Sequence, residues 1–310
     1  MRPPPADSDT LRAQRRVLEL RAKLNDAIRR FFRDRGFLEV DTPVVLPANA
    51  PEANIDAVPA GTGWFRTSPE LAMKRLLASG CENIFQLGPV ARAGEHGRWH
   101  HPEFTLLEWY RARAGYLEIL ADTKALLAFL AAELRGGTDF TWQGKPVSFA
   151  QDLWEKASVS QAFIQHAGWD PALKFDPDRF DLDLVTRVEP ALPPDHPVVL
   201  IDYPAPLAAL ARRKPDAPLR AERWELYLGG VELANAYSEL TDPAEQRARF
   251  EEANAARVRR GAKPYPLDEP FLAALPQMPP SGGIALGVDR LLMILADADS
   301  LDGVLPFRNG

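Results

Sequence analysis

The sequence predicts an α+β fold, with helices flanking a largely antiparallel sheet. Residues 84–110 and 224–240 each hold two strand-like runs joined too closely for a crossover helix, as in hairpins. Residues 11–35, 116–135 and 243–260 carry the apolar spacing or capping signals of helices. Hairpins separated by helices are typical of an antiparallel sheet covered by helices.

Composition limits what this chain can be. The 310 residues are 46% hydrophobic and 26% charged, enough for one large domain or two modest ones. A net charge of −6 disfavours an extended grip on nucleic acid, which normally requires a basic face. No apolar run approaches the roughly 20 residues of a membrane span, and residues 1–9 lack the apolar core of a secretory signal. With Cys81 as the one cysteine, we expect a cytoplasmic protein without an internal disulfide.

The first 80 residues predict a helix, two strands and a second helix. Residues 11–35 show helical spacing and end at Gly36, and a short strand over residues 37–43 follows. Residues 45–62 are loop-like, and a strand follows over residues 64–67. Ser68 is a candidate N-cap, with Pro69 and Glu70 in the first turn of a helix that ends at Gly80. A capped helix start directly after a strand is a common ligand position.

The hairpin around residues 92–110 is the strongest candidate site. Strict alternation puts Phe104, Leu106, Glu108 and Tyr110 on one strand face, where an acid and a phenol are unusual neighbours. One interpretation is a sheet floor that binds something cationic or polar, with Arg92 and Arg98 at its entrance for an anion. The alternative is an amphipathic hairpin whose acids face water.

The remaining elements complete the predicted sheet. Residues 136–195 are polar and rich in proline, which predicts a peripheral insertion within a single domain spanning residues 1–310. Residues 197–203 read as a buried strand and residues 204–218 as a loop. The small residues 282–287 form a strand that runs into a helix.

The acids of the second hairpin suggest a metal. Asn235 and Glu239 alternate onto one strand face, whereas Glu232 is out of phase and can join them only through a β-bulge. Glu225 and Glu232 lie on either side of the turn, and facing carboxylates repel unless a cation or proton lies between them. Mg²⁺ with a triphosphate is the natural candidate, and solvated edge acids are the alternative.

Nucleotide binding would require arginines here. The glycine-rich loops of dinucleotide and P-loop proteins are absent from the sequence. Arg290 follows Gly282, Gly283 and Gly287, which let backbone approach a ligand closely. It could equally be a surface helix residue.

Five stretches together resemble the class II aminoacyl-tRNA synthetases. Gly36-Phe-Leu-Glu-Val-Asp-Thr-Pro43, Arg92 with His101-Pro-Glu-Phe-Thr105, and Gly287-Val-Asp-Arg290 are similar to the three signature motifs of that class. Thr67-Ser-Pro-Glu-Leu and Glu232-Leu-Ala-Asn-Ala-Tyr-Ser-Glu239 resemble its lysyl branch. The first motif starts near residue 11, so an N-terminal anticodon-binding barrel is not expected. A catalytic domain of this branch without that barrel is similar to the elongation factor P–lysine ligase family.

The resemblance implies an activity and its reactants. It implies a class II synthetase-like ligase that uses ATP and Mg²⁺ to activate (R)-β-lysine or lysine as an adenylate. The aminoacyl group then passes to a lysine side chain of elongation factor P. A homodimer is also implied, with no anticodon recognition. Two alternatives remain: a stand-alone lysine-activating enzyme with another acceptor, such as tRNA or a small molecule, and a catalytically impaired regulatory paralogue.

The resemblance also implies roles for individual residues. Arg92 and Arg290 would be catalytic and would hold phosphates, and Glu225 and Glu232 would hold Mg²⁺. The implied ATP-binding residues are Arg92, Glu95, His101, Phe104, Glu232, Leu233, Gly287 and Arg290. The implied lysine-binding residues are Ser68, Pro69, Glu70, Glu108, Tyr110, Asn235, Glu239 and Ala285.

Three positions depart from the family pattern. Gly94 stands where an acid would contact adenine, and Glu95 is the candidate substitute. His101 stands where an asparagine would contact ATP. Ala285 replaces a glycine of lysyl-tRNA synthetases, as in the ligase family, and its methyl group could disfavour α-lysine by about 1–3 kcal/mol.

Overall fold

The computed structural model describes residues 14–307, and a nine-stranded sheet forms its centre. Sixteen strands lie in the described residues. They are β1 Leu38–Glu39, β2 Val45–Leu46, β3 Asp56–Ala57, β4 Pro59–Ala60, β5 Gly63–Phe65, β6 Asn83–Ala93, β7 Glu103–Ala112, β8 Asp139–Trp142, β9 Lys145–Ser148, β10 Glu155–Ser158, β11 Val198–Ile201, β12 Arg213–Lys214, β13 Ala217–Ala221, β14 Arg223–Leu228, β15 Val231–Ser238 and β16 Ser281–Gly287.

Eight α-helices lie between and around the strands of the described chain. They are α1 Arg15–Arg33, α2 Glu70–Ala78, α3 Tyr116–Arg135, α4 Val159–Ala167, α5 Pro177–Asp183, α6 Pro243–Arg259, α7 Glu269–Ala274 and α8 Val288–Leu295. Residues 11–13 of the predicted first helix lie outside the described residues. None of these helices combines the length and apolar character needed to cross a membrane.

The main sheet runs in the order β1-β6-β7-β16-β15-β14-β11-β10, and β3 pairs with β6. Every neighbouring pair from β6 to β11 is antiparallel. The pairs β1–β6 and β10–β11 at the two edges are parallel. The predicted α+β architecture with a largely antiparallel sheet is therefore confirmed.

The two faces of the sheet have different environments. On one face, Leu107 and Trp109 belong to the main hydrophobic core, together with buried residues of α1, α3 and α8. Phe32 of α1 stacks on Phe85 and tilts against Trp109, with ring centroids 4.7 and 5.1 Å apart. Alternation then directs Glu108 and Tyr110 to the opposite face, as the sequence predicts.

Several predicted boundaries differ from the structure. The strand predicted over residues 37–43 is only the two-residue β1, which pairs in parallel with Ile84 and Phe85 of β6. The predicted loop over residues 45–62 contains β2, β3 and β4, each also two residues long. Such short pairings carry little alternation, so they leave no sequence pattern to read.

The segment predicted to be a peripheral insertion is largely structured. It contains the hairpin β8–β9, the edge strand β10 and the helices α4 and α5. Phe163 of α4 stacks on Phe180 of α5 with ring centroids 4.6 Å apart, within a separate hydrophobic cluster. That cluster also includes Tyr203 and Tyr227, so this segment packs against the edge of the main sheet.

Candidate active site

A cleft of about 360 Å³ opens on the sheet face opposite α1, α3 and α8. Its volume lies within the range of small-molecule sites. All but one of the predicted site residues line it. They are Ser68, Glu70, Arg92, Glu95, His101, Phe104, Glu108, Tyr110, Glu225, Glu232, Leu233, Asn235, Glu239, Ala285, Gly287 and Arg290.

Two residues predicted near the site do not line the cleft. Pro69 is buried at the start of α2, where its carbonyl accepts a hydrogen bond from the Met73 amide at 3.0 Å. Its role is therefore to begin the helix. Arg98, predicted at the entrance for an anion, instead donates from Nε to the Asp299 carbonyl at 2.7 Å.

A buried lysine connects two acids that line the cleft. Lys74 Nζ lies 2.6 Å from Glu70 Oε1 and 2.5 Å from Glu239 Oε2. Burial lowers the pKa of Lys74, but the Glu239 and Glu70 carboxylates more than offset this, so its pKa is raised and it stays charged. One ammonium thus serves two carboxylates.

Glu239 retains capacity for a further cation. Glu239 is 3% exposed, and its Oε1 has no hydrogen-bond partner in the described part of the chain. Burial raises the pKa of Glu239 to about 7, against the lowering effect of Lys74. A second ammonium within reach of Oε1 would favour the ionised form and satisfy this oxygen.

Glu108 and Tyr110 form the floor predicted from the alternation of β7. Ser68 Oγ donates to Glu108 Oε1 at 2.5 Å, and Tyr110 OH donates to Oε2 at 3.1 Å. Ser68 Oγ also accepts from the Glu70 amide at 2.9 Å, which satisfies the first turn of α2. Burial, followed by repulsion from Glu70, raises the pKa of Glu108 to about 8.

Small residues of β16 keep this end of the cleft open. Ala285 lies between Asn235 of β15 and Glu108 of β7 in the strand register. A Cβ atom on Gly283 would approach Glu239 Oε1 to 2.3 Å, so glycine is required there. Asn235 donates from Nδ2 to Tyr237 OH at 3.0 Å, while its Oδ1 is buried without a partner. An unpaired acceptor beside an open cleft points to a hydrogen-bond donor on a ligand.

Backbone carbonyls fix Arg290 at the opposite end. Its Nε donates to the Trp99 carbonyl at 3.0 Å and its Nη1 to the Glu232 carbonyl at 2.7 Å. Nη2 lies 2.8 Å from His100 Nε2. The cleft bordering this guanidinium has the charge and donors that an anion requires.

Arg92 supplies the second guanidinium. It donates from Nε to the Thr67 carbonyl at 3.3 Å, and its Nη1 is 3.5 Å from Glu95 Oε1. Its guanidinium carbon lies 5.1 Å from the centre of the Phe104 ring. Phe104, one of the implied ATP-binding residues, is therefore adjacent to a phosphate-binding candidate.

The two histidines near the arginines differ in their surroundings. Burial and the nearby Arg290 lower the pKa of His100, which favours its neutral form. His101 Nδ1 lies 2.6 Å from the Glu103 carbonyl, and its Nε2 is buried without a partner. His101 therefore offers one ring nitrogen to the cleft at the position where the family has an asparagine.

The predicted β-bulge is confirmed. Register shifts between Leu226 and Tyr227 of β14, because Ala234 pairs with Leu226 while Glu232 pairs with Tyr227. Leu233 is thus the additional residue, and Glu232 joins Asn235 and Glu239 in the cleft.

Glu225 and Glu232 are near enough to interact but not directly opposite, since Glu225 pairs with Asn235. Burial, then the Glu225 charge, raises the pKa of Glu232 to about 7. Glu189, from the segment before β11, has its pKa raised to about 7 by burial and by these two acids. Mutual repulsion of this kind is relieved by a cation.

These carboxylates fit a divalent cation that is also held by its ligand. Glu225 already accepts hydrogen bonds from Tyr203 OH and Tyr227 OH, both at 2.6 Å. Within residues 14–307, no group of three or more His, Cys, Asp or Glu side chains forms a metal site by itself. Mg²⁺ commonly takes only one or two carboxylates and completes its shell with phosphate oxygens and water.

Sequence reasoning missed several residues in the cleft or next to the acids that line it. Lys74 resembles a surface i,i+4 partner of Glu70, and nothing local indicates that it is buried. Arg223 Nη2 lies 2.5 Å from Glu225 Oε1. Because the two residues are two positions apart on β14, alternation could have placed Arg223 on the same face as Glu225. Glu52 and Glu189 come from irregular segments, where no periodicity assigns a face.

Comparison with known proteins gives a consistent result. A sequence profile of the class II tRNA synthetases of the D, K and N type matches residues 8–309. An elongation factor P–(R)-β-lysine ligase of Edwardsiella ictaluri is 39% identical over 93% of both chains. A protein of the same name from Vibrio parahaemolyticus is 36% identical over 94% of both chains. A lysine–tRNA ligase of Moorella thermoacetica is 34% identical over 94% of this chain but only 65% of its own.

Proposed function

The chain belongs to the class II tRNA synthetases of the D, K and N type, and on that basis we propose that it ligates (R)-β-lysine to elongation factor P. ATP would supply the energy and leave as AMP and pyrophosphate. The observation that carries the proposal is the charge separation within one cleft. Arg92 and Arg290 border one end, while the unpartnered Glu239 oxygen lies at the other. A triphosphate beside an amino acid with a side-chain ammonium matches this arrangement.

The first step forms an adenylate. An oxygen of the amino-acid carboxylate attacks the α-phosphorus of ATP, and the bond from that phosphorus to the α,β-bridging oxygen breaks to release pyrophosphate. Arg92 would stabilise charge on the α-phosphate and orient the carboxylate, and Arg290 would hold the γ-phosphate. Mg²⁺, held by Glu232 and Glu225, would neutralise charge on the phosphates.

The second step transfers the aminoacyl group. A neutral amine of the acceptor attacks the adenylate carbonyl carbon, the carbon–oxygen bond to phosphate breaks and AMP leaves, and the nitrogen releases one proton as the amide forms. Relatives named as elongation factor P ligases support a protein lysine as that amine. The net charge of −6 supports a protein acceptor over tRNA, because a tRNA grip needs cationic surface.

The amino-acid end would select a substrate with two amines. Glu239 and Tyr110 would bind the side-chain ammonium, and Ser68, Glu70, Glu108 and Asn235 would complete the pocket. Ala285 lies between Asn235 and Glu108, so its methyl group narrows the pocket where the backbone of the amino acid would bind.

We further propose a cytoplasmic homodimer in which the first motif contributes to the interface. Apolar side chains around β1, β2 and β5 support this. Leu38 is 57% exposed, and Val45 and its cross-strand partner Phe65 are 48% and 37% exposed. Light scattering should give twice the chain mass of 34.4 kDa, and Val45→Glu should reduce it to one chain.

The decisive experiment is ATP–pyrophosphate exchange with (R)-β-lysine and with α-lysine, followed by transfer. We expect exchange with β-lysine and transfer to elongation factor P but not to tRNA. Transfer to tRNA alone would instead support a lysine-activating enzyme of the kind that the Moorella relative is named for. Absence of exchange with both amino acids would favour a regulatory protein without catalysis.

A further inference from the structure

Glu52 is a cleft residue to which neither family resemblance nor sequence pattern assigns a role. It lies in the segment between β2 and β3 and lines the cleft. Glu70, Glu108, Glu225, Glu232 and Glu239 each have an ion pair or hydrogen bond to a side chain. The Glu52 carboxylate has neither among residues 14–307; its one hydrogen bond uses the backbone carbonyl.

A buried arginine fixes the backbone of this segment from behind. Arg257 of α6 is 2% exposed, and its Nη1 donates to the carbonyls of Glu52 and Ile55 at 3.1 and 2.7 Å. Its Nη2 donates to Asp56 Oδ1 at 2.7 Å. Three hydrogen bonds from one rigid guanidinium hold the backbone of residues 52–56. The backbone position of Glu52 beside the cleft is therefore fixed.

The charges around Glu52 locate it within the cleft. Burial raises its pKa, and the next largest influences are Arg92, which lowers it, and Glu70, which raises it. Glu52 therefore shares the cleft with the residue proposed to orient the substrate carboxylate and with an acid of the amino-acid pocket, and both charges act on it. A half-buried carboxylate in that position is stabilised in its ionised form by a ligand cation.

The cation that fits is the amino group nearest the reacting carboxylate. Lys74 already neutralises part of the charge on Glu70 and Glu239, so those two acids serve one internal ammonium before any substrate binds. Among the acids that line the cleft, Glu52 is the one whose carboxylate has no side-chain partner within residues 14–307, so it is available to a second ammonium group. We propose that Glu52 binds the α- or β-amino group of the substrate. This contact makes the enzyme selective for amino acids that have a second amino group besides the one on the side chain.

This inference rests on the proposed function, and a truncated substrate separates the two. 6-Aminohexanoate is β-lysine without its β-amino group, and it keeps the side-chain ammonium and the carboxylate. In pyrophosphate exchange, Glu52→Gln should lower kcat/KM for β-lysine by about 10- to 100-fold, the loss expected for one charge-assisted contact. The same variant should leave kcat/KM for 6-aminohexanoate within about twofold, which also shows that it is folded. Glu52→Asp should recover part of the loss.

Glu251→Gln on the exposed surface of α6 is the matched control for removing one negative charge, and it should change neither value. Equal loss with both substrates, or no loss with β-lysine, would overturn the assignment of Glu52 while leaving the ligase proposal intact. If wild-type protein exchanges with no amino acid, the ligase proposal fails instead. Calorimetry then tests the role of Glu52 through binding affinity. Glu52→Gln should weaken the binding of β-lysine and leave the binding of 6-aminohexanoate unchanged relative to wild type.

Discussion

The two ends of the cleft hold side chains of opposite charge, and the contacts that stabilise those charges differ. At the phosphate end, backbone carbonyls of Trp99 and Glu232 hold Arg290 through hydrogen bonds of 3.0 and 2.7 Å, and the Glu232 carboxylate is farther from it, at 3.8 Å. At the amino-acid end, Glu70 and Glu239 share Lys74, and the pKa of the nearby Glu108 is raised to about 8. The closest contacts of Arg290 are thus neutral dipoles, whereas Glu70 and Glu239 depend on one shared cation until a ligand binds. Substitutions at the first should therefore affect chemistry alone, and those at the second should also affect stability and pH dependence.

The largest effect is expected at the phosphate end. Arg290→Ala should lower pyrophosphate exchange by about 10³-fold or more, because a positioned guanidinium that stabilises leaving-group charge is lost. The melting temperature should change by only a few degrees. Arg259→Ala on the exposed surface of α6 is the matched control. Wild-type exchange in Arg290→Ala would show that the phosphate assignment is wrong.

Lys74→Met tests whether the amino-acid end depends on its internal cation. Removing the ammonium leaves two buried carboxylates uncompensated, so the free energy of unfolding should fall by about 3–5 kcal/mol in urea denaturation. Adding Glu239→Gln should restore about 1–2 kcal/mol, because one of the repelling charges is then gone. Lys145→Met, at an exposed position, is the control. Strict additivity of the two substitutions would contradict the shared ion pair.

Glu239→Gln tests whether this side chain contributes to the binding of lysine and not to the binding of ATP. The KM for lysine should rise by about 100-fold, because a charge-assisted contact in a buried site is lost. The KM for ATP should change less than about threefold, since Glu239 lies among the predicted lysine-binding residues. Steady-state exchange with each substrate varied in turn measures both values. Equal weakening of the two substrates would count against an ammonium role.

The smallest effect is the pH dependence. The pKa of Glu108 is about 8 in the free folded protein, against an ordinary value of 4.5. Between these values the folded chain retains a proton that the unfolded chain has lost. The contribution of Glu108 to the free energy of unfolding is therefore at its full value below about pH 4.5. That contribution is lost as the pH rises towards 8.

An ammonium ligand has the opposite preference, because it favours the ionised carboxylate. Lysine affinity should rise about tenfold from pH 6 to pH 8, and binding should release protons in calorimetry with buffers of different ionisation enthalpy. Glu108→Gln should flatten the profile. Affinity that falls over this range would exclude ionisation of the acids on binding.

Strand alternation and capping signals in the sequence predicted where much of the site lies. The alternation of β7 put Glu108 and Tyr110 on one face, and the phase of Glu232 required the bulge that the structure contains. The start of α2 followed from Ser68 and Pro69, although Pro69 has a structural position and no place in the cleft. These inferences succeeded because a strand or helix imposes its period on neighbouring residues.

The sequence by itself determined the α+β architecture, the two hairpins and the family resemblance, since each is built from patterns that are local in the chain. Tertiary structure alone decided that Lys74 is buried between two acids, that Arg257 anchors the turn carrying Glu52, and that Arg98 is turned away from the cleft. These depend on which distant segment packs against each side chain. The charge of a lysine or glutamate is written in the sequence, but its solvation and its partner are properties of the folded chain.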